Sequence, residues 1–187
     1  MSSVPRAVRC MVAALGVACL IGCAPDTSET KPGPGWPQAA GPNLNWKVQG
    51  PDPVLEWSGA LDRNIVWRSP LPNGGQSGIA VAKGRVFLTT FDTYRDGQPK
   101  YSNTILGHCL DERTGKLLWS VRLEGSLESP LMYAYSDSTT PSPMTDGEHV
   151  WFVNASGAMG AWDMDGNEVW TRRWQPWGDP FPFNKQH

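Results

Sequence analysis

Beyond residue 46 the apolar positions of this chain fall in short runs that alternate with polar ones, and turn residues separate the runs. Gly78-Ile-Ala-Val-Ala-Lys-Gly84-Arg-Val-Phe-Leu-Thr-Thr90 alternates about the pair Lys83-Gly84. Thr140-Pro-Ser-Pro-Met-Thr-Asp146-Gly147-Glu-His-Val-Trp-Phe-Val153 does the same about Asp146-Gly147. A period of two predicts strands, and the Lys-Gly and Asp-Gly pairs supply residues that tolerate the positive φ of a tight hairpin turn. No stretch after the first 22 residues keeps a 3.6-residue apolar period over a helical length.

A second pattern follows each of these hairpins. Cys109-Leu-Asp111-Glu-Arg-Thr114-Gly115-Lys-Leu-Leu-Trp119 and Ala161-Trp-Asp163-Met-Asp-Gly166-Asn-Glu-Val-Trp170 both lead from an apolar residue and Asp through a polar turn with Gly into a short strand ending in Trp. Ala60-Leu-Asp62-Arg-Asn-Ile-Val-Trp67 is a third, shortened version. Trp67, Trp119 and Trp170 lie 52 and 51 residues apart, and a period of about fifty marks a propeller-type array. Two hairpins per unit give four strands, the content of one propeller blade. The expected fold is therefore all-β, a partial β-propeller of about two to three four-stranded antiparallel blades over residues 46–187. Within it Asp111 and Thr114 are expected to hydrogen-bond turn amides, and Gly115 to take the left-handed conformation of a bulged hairpin. Trp119 is expected to end the outer strand with its ring over the next blade. Asp163, Gly166 and Trp170 repeat these blade roles with a turn one residue shorter and no threonine.

The string Asp111-x-x-Thr114-Gly115-Lys116-x-x-Trp119 resembles the blade motif of the pyrroloquinoline-quinone-like (PQQ-like) propellers. That family includes quinoprotein alcohol dehydrogenases and non-enzymatic relatives such as an outer-membrane assembly lipoprotein. Trp36-Pro-Gln-Ala-Ala-Gly-Pro-Asn43 and the Thr140 to Val150 stretch extend the resemblance, which covers about residues 35–183. In the dehydrogenases it implies a closed ring, usually of eight blades, with calcium or a lanthanide, a catalytic Asp and a quinone pocket built from many blades. Residues 46–187 hold fewer than three units, and Cys-x-x-Cys-His and vicinal cysteines are missing. No catalytic, cofactor-binding or metal residue is assigned, and no cofactor is expected. Two readings stand: an exported non-enzymatic module for protein or ligand binding and scaffolding, and a fragment of a longer quinoprotein oxidoreductase whose remaining blades are missing. Self-association through open blade edges, with copies completing a ring, is a third arrangement.

The first residues carry a different message. Arg6 and Arg9 precede an apolar run, Met11 to Ile21, that is too short to span a bilayer and is followed by small residues, which is the pattern of a cleaved secretory signal over residues 1–22. Leu20-Ile21-Gly22-Cys23 resembles a bacterial lipobox, which implies a lipidated Cys23 and a chain exported and anchored to a membrane, by default at the outer membrane or its periplasmic face. Multiple acyl chains make such anchoring stable. Residues 23–45, with Pro25, Pro32, Pro34, Pro37 and Pro42, read as a Pro/Gly/Ser-rich tether.

Composition narrows the chemistry. Loss of residues 1–22 moves the net charge from −2 to −4, and no basic patch points to nucleic acid. With Cys23 acylated, Cys109 is the remaining thiol, so no intramolecular disulfide is expected. Its strand position favours an inert, buried thiol. His108, His149 and His187 lack metal-ligand spacing. Asp163, Asp165 and Asn167 begin like a calcium loop, but the glycine and glutamate an EF-hand requires are misplaced, so the hairpin-turn reading is preferred. Trp174, Trp177, Phe181 and Phe183 are expected to cap the preceding blade, and the Asn154-Ala155-Ser156 sequon is accidental in a bacterial lipoprotein.

Overall fold

A computed structural model describes residues 35–47, 50, 52–92, 102–127 and 136–176, all within the unit spanning 32–187. It contains β1 (Ala80–Ala82), β2 (Arg85–Phe91), β3 (Thr104–Asp111), β4 (Leu117–Glu124), β5 (Met144–Thr145), β6 (His149–Asn154), β7 (Ala158–Asp163) and β8 (Glu168–Arg173), and no helix among the described residues. The strands form two antiparallel four-stranded sheets in sequence order, β1-β2-β3-β4 and β5-β6-β7-β8. These are the two blades the alternation predicts, and the all-β class holds.

Local sequence explains the turns. Lys83 and Gly84 both have positive φ, 47° and 74°, which is the two-residue type I′ hairpin whose twist suits the flanking strands. Gly147 has φ 87°, but the β5–β6 loop is longer than a two-residue turn. Asp146 Oδ1 accepts from the Glu148 and His149 amides, both at 2.7 Å, and so shapes that loop. These bonds, the His149 amide first, hold the Asp146 carboxyl below the usual range.

Burial shows how the blades stack. On β2, Val86, Phe87, Thr89, Thr90 and Phe91 are all buried, so both faces of that strand are covered, as stacking between layers requires. The residues Phe87, Ile105, Cys109 and Leu123 of the first blade meet Val150, Phe152, Ala158 and Trp162 of the second in one core. A Cβ on Gly107 would lie 2.6 Å from the Phe152 ring, so glycine is what lets the blades approach. The Phe152 and Trp162 rings are 5.5 Å apart, and Trp119 meets Phe152 edge-on at 6.3 Å. Each fully buried side chain of this size contributes roughly 1.5–3 kcal/mol.

Three features depart from the expectations. The strands do not end at tryptophan: β4 runs five residues past Trp119 and β8 three past Trp170, because the residues that follow continue the ladder to β3 and β7. The shortened unit at 60–67 forms no sheet. Ser58 and Arg63 exchange backbone hydrogen bonds at 3.1 Å there, as an isolated bridge. Finally, Trp36 and Pro37, within the expected tether, are docked. Trp36 exchanges two 2.8 Å backbone hydrogen bonds with Val81, and Thr145 donates to the Pro37 carbonyl at 2.9 Å. These bonds cover the free inner edges of β1 and β5 and meet the need of exposed strand edges for a partner.

Candidate functional site

The turn after β3 is organised by one carboxylate. Asp111 Oδ1 accepts from the Thr114 amide at 2.8 Å and from the Thr114 hydroxyl at 2.6 Å. Gly115 takes φ 69° and donates to the Asp111 carbonyl at 2.8 Å. The ladder bulges between Cys109 and Leu110. In the second blade Asp163 Oδ1 accepts from the Asp165 and Asn167 amides, both at 2.9 Å, while Asn167 Nδ2 donates to Asp163 Oδ2 at 2.9 Å. Gly166 has φ 87°, and the bulge recurs between Ala161 and Trp162. Asn167 thus replaces the side-chain bond that Thr114 makes, a role visible in sequence only as an Asx-forming residue four positions after Asp. Hydrogen bonding to the ionised form, from Thr114 in one turn and Asn167 in the other, holds both carboxyls below the usual range.

A tryptophan from the preceding unit closes each turn. Trp67 donates its indole N–H to the Glu112 carbonyl at 2.8 Å, and Trp119 donates to the Met164 carbonyl at 3.0 Å. Both bonds span 45 residues and end on the residue that follows the turn aspartate. Both rings lie on the turn glycine: a Cβ on Gly115 would fall 2.3 Å from Trp67, and one on Gly166 would fall 2.9 Å from Trp119. The motif residues Asp111, Thr114, Gly115 and Trp119 therefore belong to two successive closures. In the first the turn receives Trp67, and in the second Trp119 reaches onward to the turn of Asp163 and Gly166. Trp170 occupies the place of Trp119 in register, opposite Ala161 where Trp119 is opposite Cys109. Its indole N–H has no hydrogen-bond partner among the described residues.

Polar groups fasten the same interface. Buried Asn154 donates from Nδ2 to the Asn103 and Leu123 carbonyls at 2.8 and 2.9 Å and accepts from the Ser156 amide at 2.9 Å. Arg173 pairs with Glu124 at 2.9 Å and Arg85 with Asp165 at 3.6 Å, surface pairs worth about 0–1 kcal/mol each. His108 is buried between Thr90 Oγ1, 2.9 Å from Nε2, and Ser120 Oγ, 2.8 Å from Nδ1. Thr90 donates its own hydroxyl to the Phe91 carbonyl, so His108 donates from Nε2 and accepts from Ser120 at Nδ1. Burial holds its pKa below the ordinary value. Burial likewise pushes the Cys109 thiol up, against the lowering effect of Arg85, which keeps it protonated and unreactive.

Beside the docked N-terminal stretch, two cavities of about 350 and 390 Å³ share Gln38 and Met144. One is also lined by Trp151 and Met159, the other by Val153. A quinone with its calcium would need carboxylates gathered where the blades converge. Among the described residues no three His, Cys, Asp or Glu side chains group as a metal site, and the innermost strands present Ala80, Val81, Ala82, Met144 and Thr145. The described donor set does not fit that group. Cys23, the signal and its flanks, Trp177, Phe181, Phe183 and His187 lie outside the described residues. Trp174, expected in a cap, is 40% exposed.

Comparison with known proteins adds the following. The family model described as outer membrane protein assembly factor BamB matches residues 57–181. Among solved structures, a europium-containing methanol dehydrogenase is 25% identical over 51% of this chain, with a TM-score of 0.33. BamB from Moraxella catarrhalis is 16% identical over 58% of this chain, with a TM-score of 0.26. The chain spans 15% and 39% of the lengths of those two. No curated protein matches.

Proposed function

Since the chain belongs to the PQQ-like repeat family whose model is described as outer membrane protein assembly factor BamB, we propose that it is an exported, lipid-anchored and non-enzymatic blade module that binds protein at the outer membrane. The observation that carries this reading is the match over residues 57–181, on which both blades and both tryptophan–turn closures fall. Cys23 supplies the membrane attachment in this reading and residues 1–22 the export signal. The blades supply stable turn and edge surface without requiring a reacting group, since Asp111 and Asp163 are both engaged in holding their own turns.

The test is fractionation and cross-linking of the full chain in a bacterial host. The protein is expected in the membrane fraction and C23S in the soluble envelope fraction, with envelope proteins cross-linked to the wild type. Recovery with no partner overturns protein binding. Calorimetry with pyrroloquinoline quinone and calcium tests the enzymatic alternative, and a raised unfolding midpoint would overturn the non-enzymatic reading.

A further inference from the structure

We propose that Asn73 is a self-modifying site, at which the backbone nitrogen of Gly74 displaces the side-chain amide as ammonia and the carboxylate left behind loosens the loop that ties the first blade to Thr139. The inference stands apart from membrane attachment and from what the blades bind.

The sequence offers this chemistry in three places. Asn73-Gly74, Asp146-Gly147 and Asp165-Gly166 are the Asn-Gly and Asp-Gly pairs among the described residues. In each, a side-chain carbonyl carbon precedes a backbone nitrogen that no neighbouring Cβ crowds. Local structure separates them. Gly147 donates its N–H to Thr145 Oγ1 at 3.0 Å and Gly166 donates to the Asp163 carbonyl at 3.1 Å, so both nitrogens are engaged in turns. Asp146 and Asp165 are also carboxylates, whose negative charge resists attack. The Gly74 N–H has no hydrogen-bond partner among the described residues. Gly74 is exposed, and a Cβ on it would meet nothing within 4 Å, so the approach of this nitrogen to a neutral amide is open.

The reaction consumes only water. The Gly74 nitrogen gives its proton to solvent base and bonds to Asn73 Cγ, the Cγ–Nδ2 bond breaks, and Nδ2 takes a proton from water and leaves as ammonia. The product is a cyclic imide. Water then opens the ring at Cγ, which restores the main chain with aspartate at position 73, or at the main-chain carbonyl carbon of residue 73, which leaves an isoaspartate whose backbone runs through Cβ and Cγ. Nothing is oxidised or reduced.

Both products act on a loop that links the blades. Asn73 Nδ2 donates to the Asp92 carbonyl at 3.0 Å, and an ionised carboxylate in its place has only acceptors to set against that oxygen. Asp92 itself carries a buried carboxylate paired with Arg122, so the added charge is of like sign. Phe91 donates to the Gly74 carbonyl at 3.0 Å. Immediately downstream, a Cβ on Gly75 would lie 2.8 Å from the Thr89 carbonyl oxygen and 2.9 Å from Thr139 Oγ1. The Gln76 amide donates to Thr139 Oγ1 at 2.8 Å, and the Thr89 amide donates to Ser77 Oγ at 3.2 Å. Thr139 leads into β5 of the second blade, so this loop joins the two sheets. An isoaspartate adds a methylene to the main chain just ahead of these close contacts, which fit the shorter backbone.

The experiment is incubation of the folded full chain in detergent, in mildly alkaline and mildly acidic buffer, followed by peptide mass mapping, an isoaspartate assay and the unfolding midpoint, with G74A and N73D alongside. G74A suits the comparison because Gly74 is outside the left-handed region and its Cβ position is open, so the variant keeps the fold and crowds only the attacking nitrogen. Wild type is expected to gain aspartate and isoaspartate at position 73, several-fold faster in the alkaline buffer, with its midpoint falling toward that of N73D. G74A is expected to convert several-fold more slowly and to hold its midpoint. No conversion at position 73 in the folded wild type, over a period in which the guanidinium-unfolded chain converts, overturns the proposal, as do equal rates in wild type and G74A. An N73D midpoint equal to that of unmodified wild type overturns the loosening of the loop.

Discussion

The Trp119 ring rests on Gly166, with ring atoms Cδ2 and Cγ 2.9 Å from where a Cβ on that glycine would stand. One contact across the blade boundary therefore fixes two sequence choices at once: an aromatic ring with an N–H on one side, and a residue without a Cβ and at φ 87° on the other.

G166A is expected to destabilise the chain by roughly 1–3 kcal/mol, since it meets both the left-handed backbone cost and overpacking. W119F keeps most of the packing and loses the bond to the Met164 carbonyl, for about 1 kcal/mol. Urea unfolding of the two variants and their double mutant checks this. Strictly additive losses would show that ring and glycine do not act together.

Asp111 and Asp163 make stability depend on acid in a defined window. Their folded pKa values lie below 3.8, so their contribution is present above that value and lost as pH falls through the folded one. Melting curves of wild type from about pH 5 downward are expected to steepen below about 4. A D111N/D163N double variant is expected to show a shallower fall there, and an identical slope would refute the assignment.

His108 acts at higher pH. Its folded pKa lies below 6.5, so between those two values the unfolded chain takes up a proton that the buried imidazole does not. Stability contributed by the neutral ring is complete above 6.5 and declines as pH drops. H108Q is expected to be less stable than wild type at about pH 7 and to lack this decline. A wild-type pH profile in H108Q would mean another group titrates there.

Much of the blade plan is legible in the sequence, because the physics that sets it is local. Alternation around Lys83-Gly84 and the Asp-to-Gly turns at 111–115 and 163–166 each constrain a few neighbouring residues, and the hairpins follow. The destination of an indole N–H is not local. Trp67, Trp119 and Trp170 look alike in sequence, yet two find carbonyls 45 residues away and the third finds none among the described residues. Trp36 is hidden for the same reason: a proline-rich stretch looks like a tether until Val81 offers it both backbone groups. The strand ends are hidden because Ser120-Val-Arg-Leu-Glu124 continues the ladder after the aromatic residue that marks the repeat.

Asn154 shows how a buried polar side chain ties two blades together, and its chemistry gives a prediction in which two substitutions change order with pH. It is fully buried, and its amide group satisfies two carbonyls from the β3–β4 end of the first blade while its oxygen holds the Ser156 amide. N154A removes three hydrogen bonds from a buried site, at a cost of roughly 2–4 kcal/mol, although the Asn103 carbonyl keeps the Gly125 amide at 2.9 Å. N154D fills the same volume but, when ionised, cannot donate and points a buried charge at two carbonyl oxygens, so at about pH 7 it is expected to be less stable than N154A. Acid works against this order, because the carboxyl group introduced by N154D can donate a hydrogen bond once it is protonated. Unfolding midpoints at about pH 7 and about pH 5 check it: the gap between N154D and N154A should shrink or invert at the lower pH. A constant gap would mean that the carboxylate escapes to solvent and does not sit against the two carbonyls.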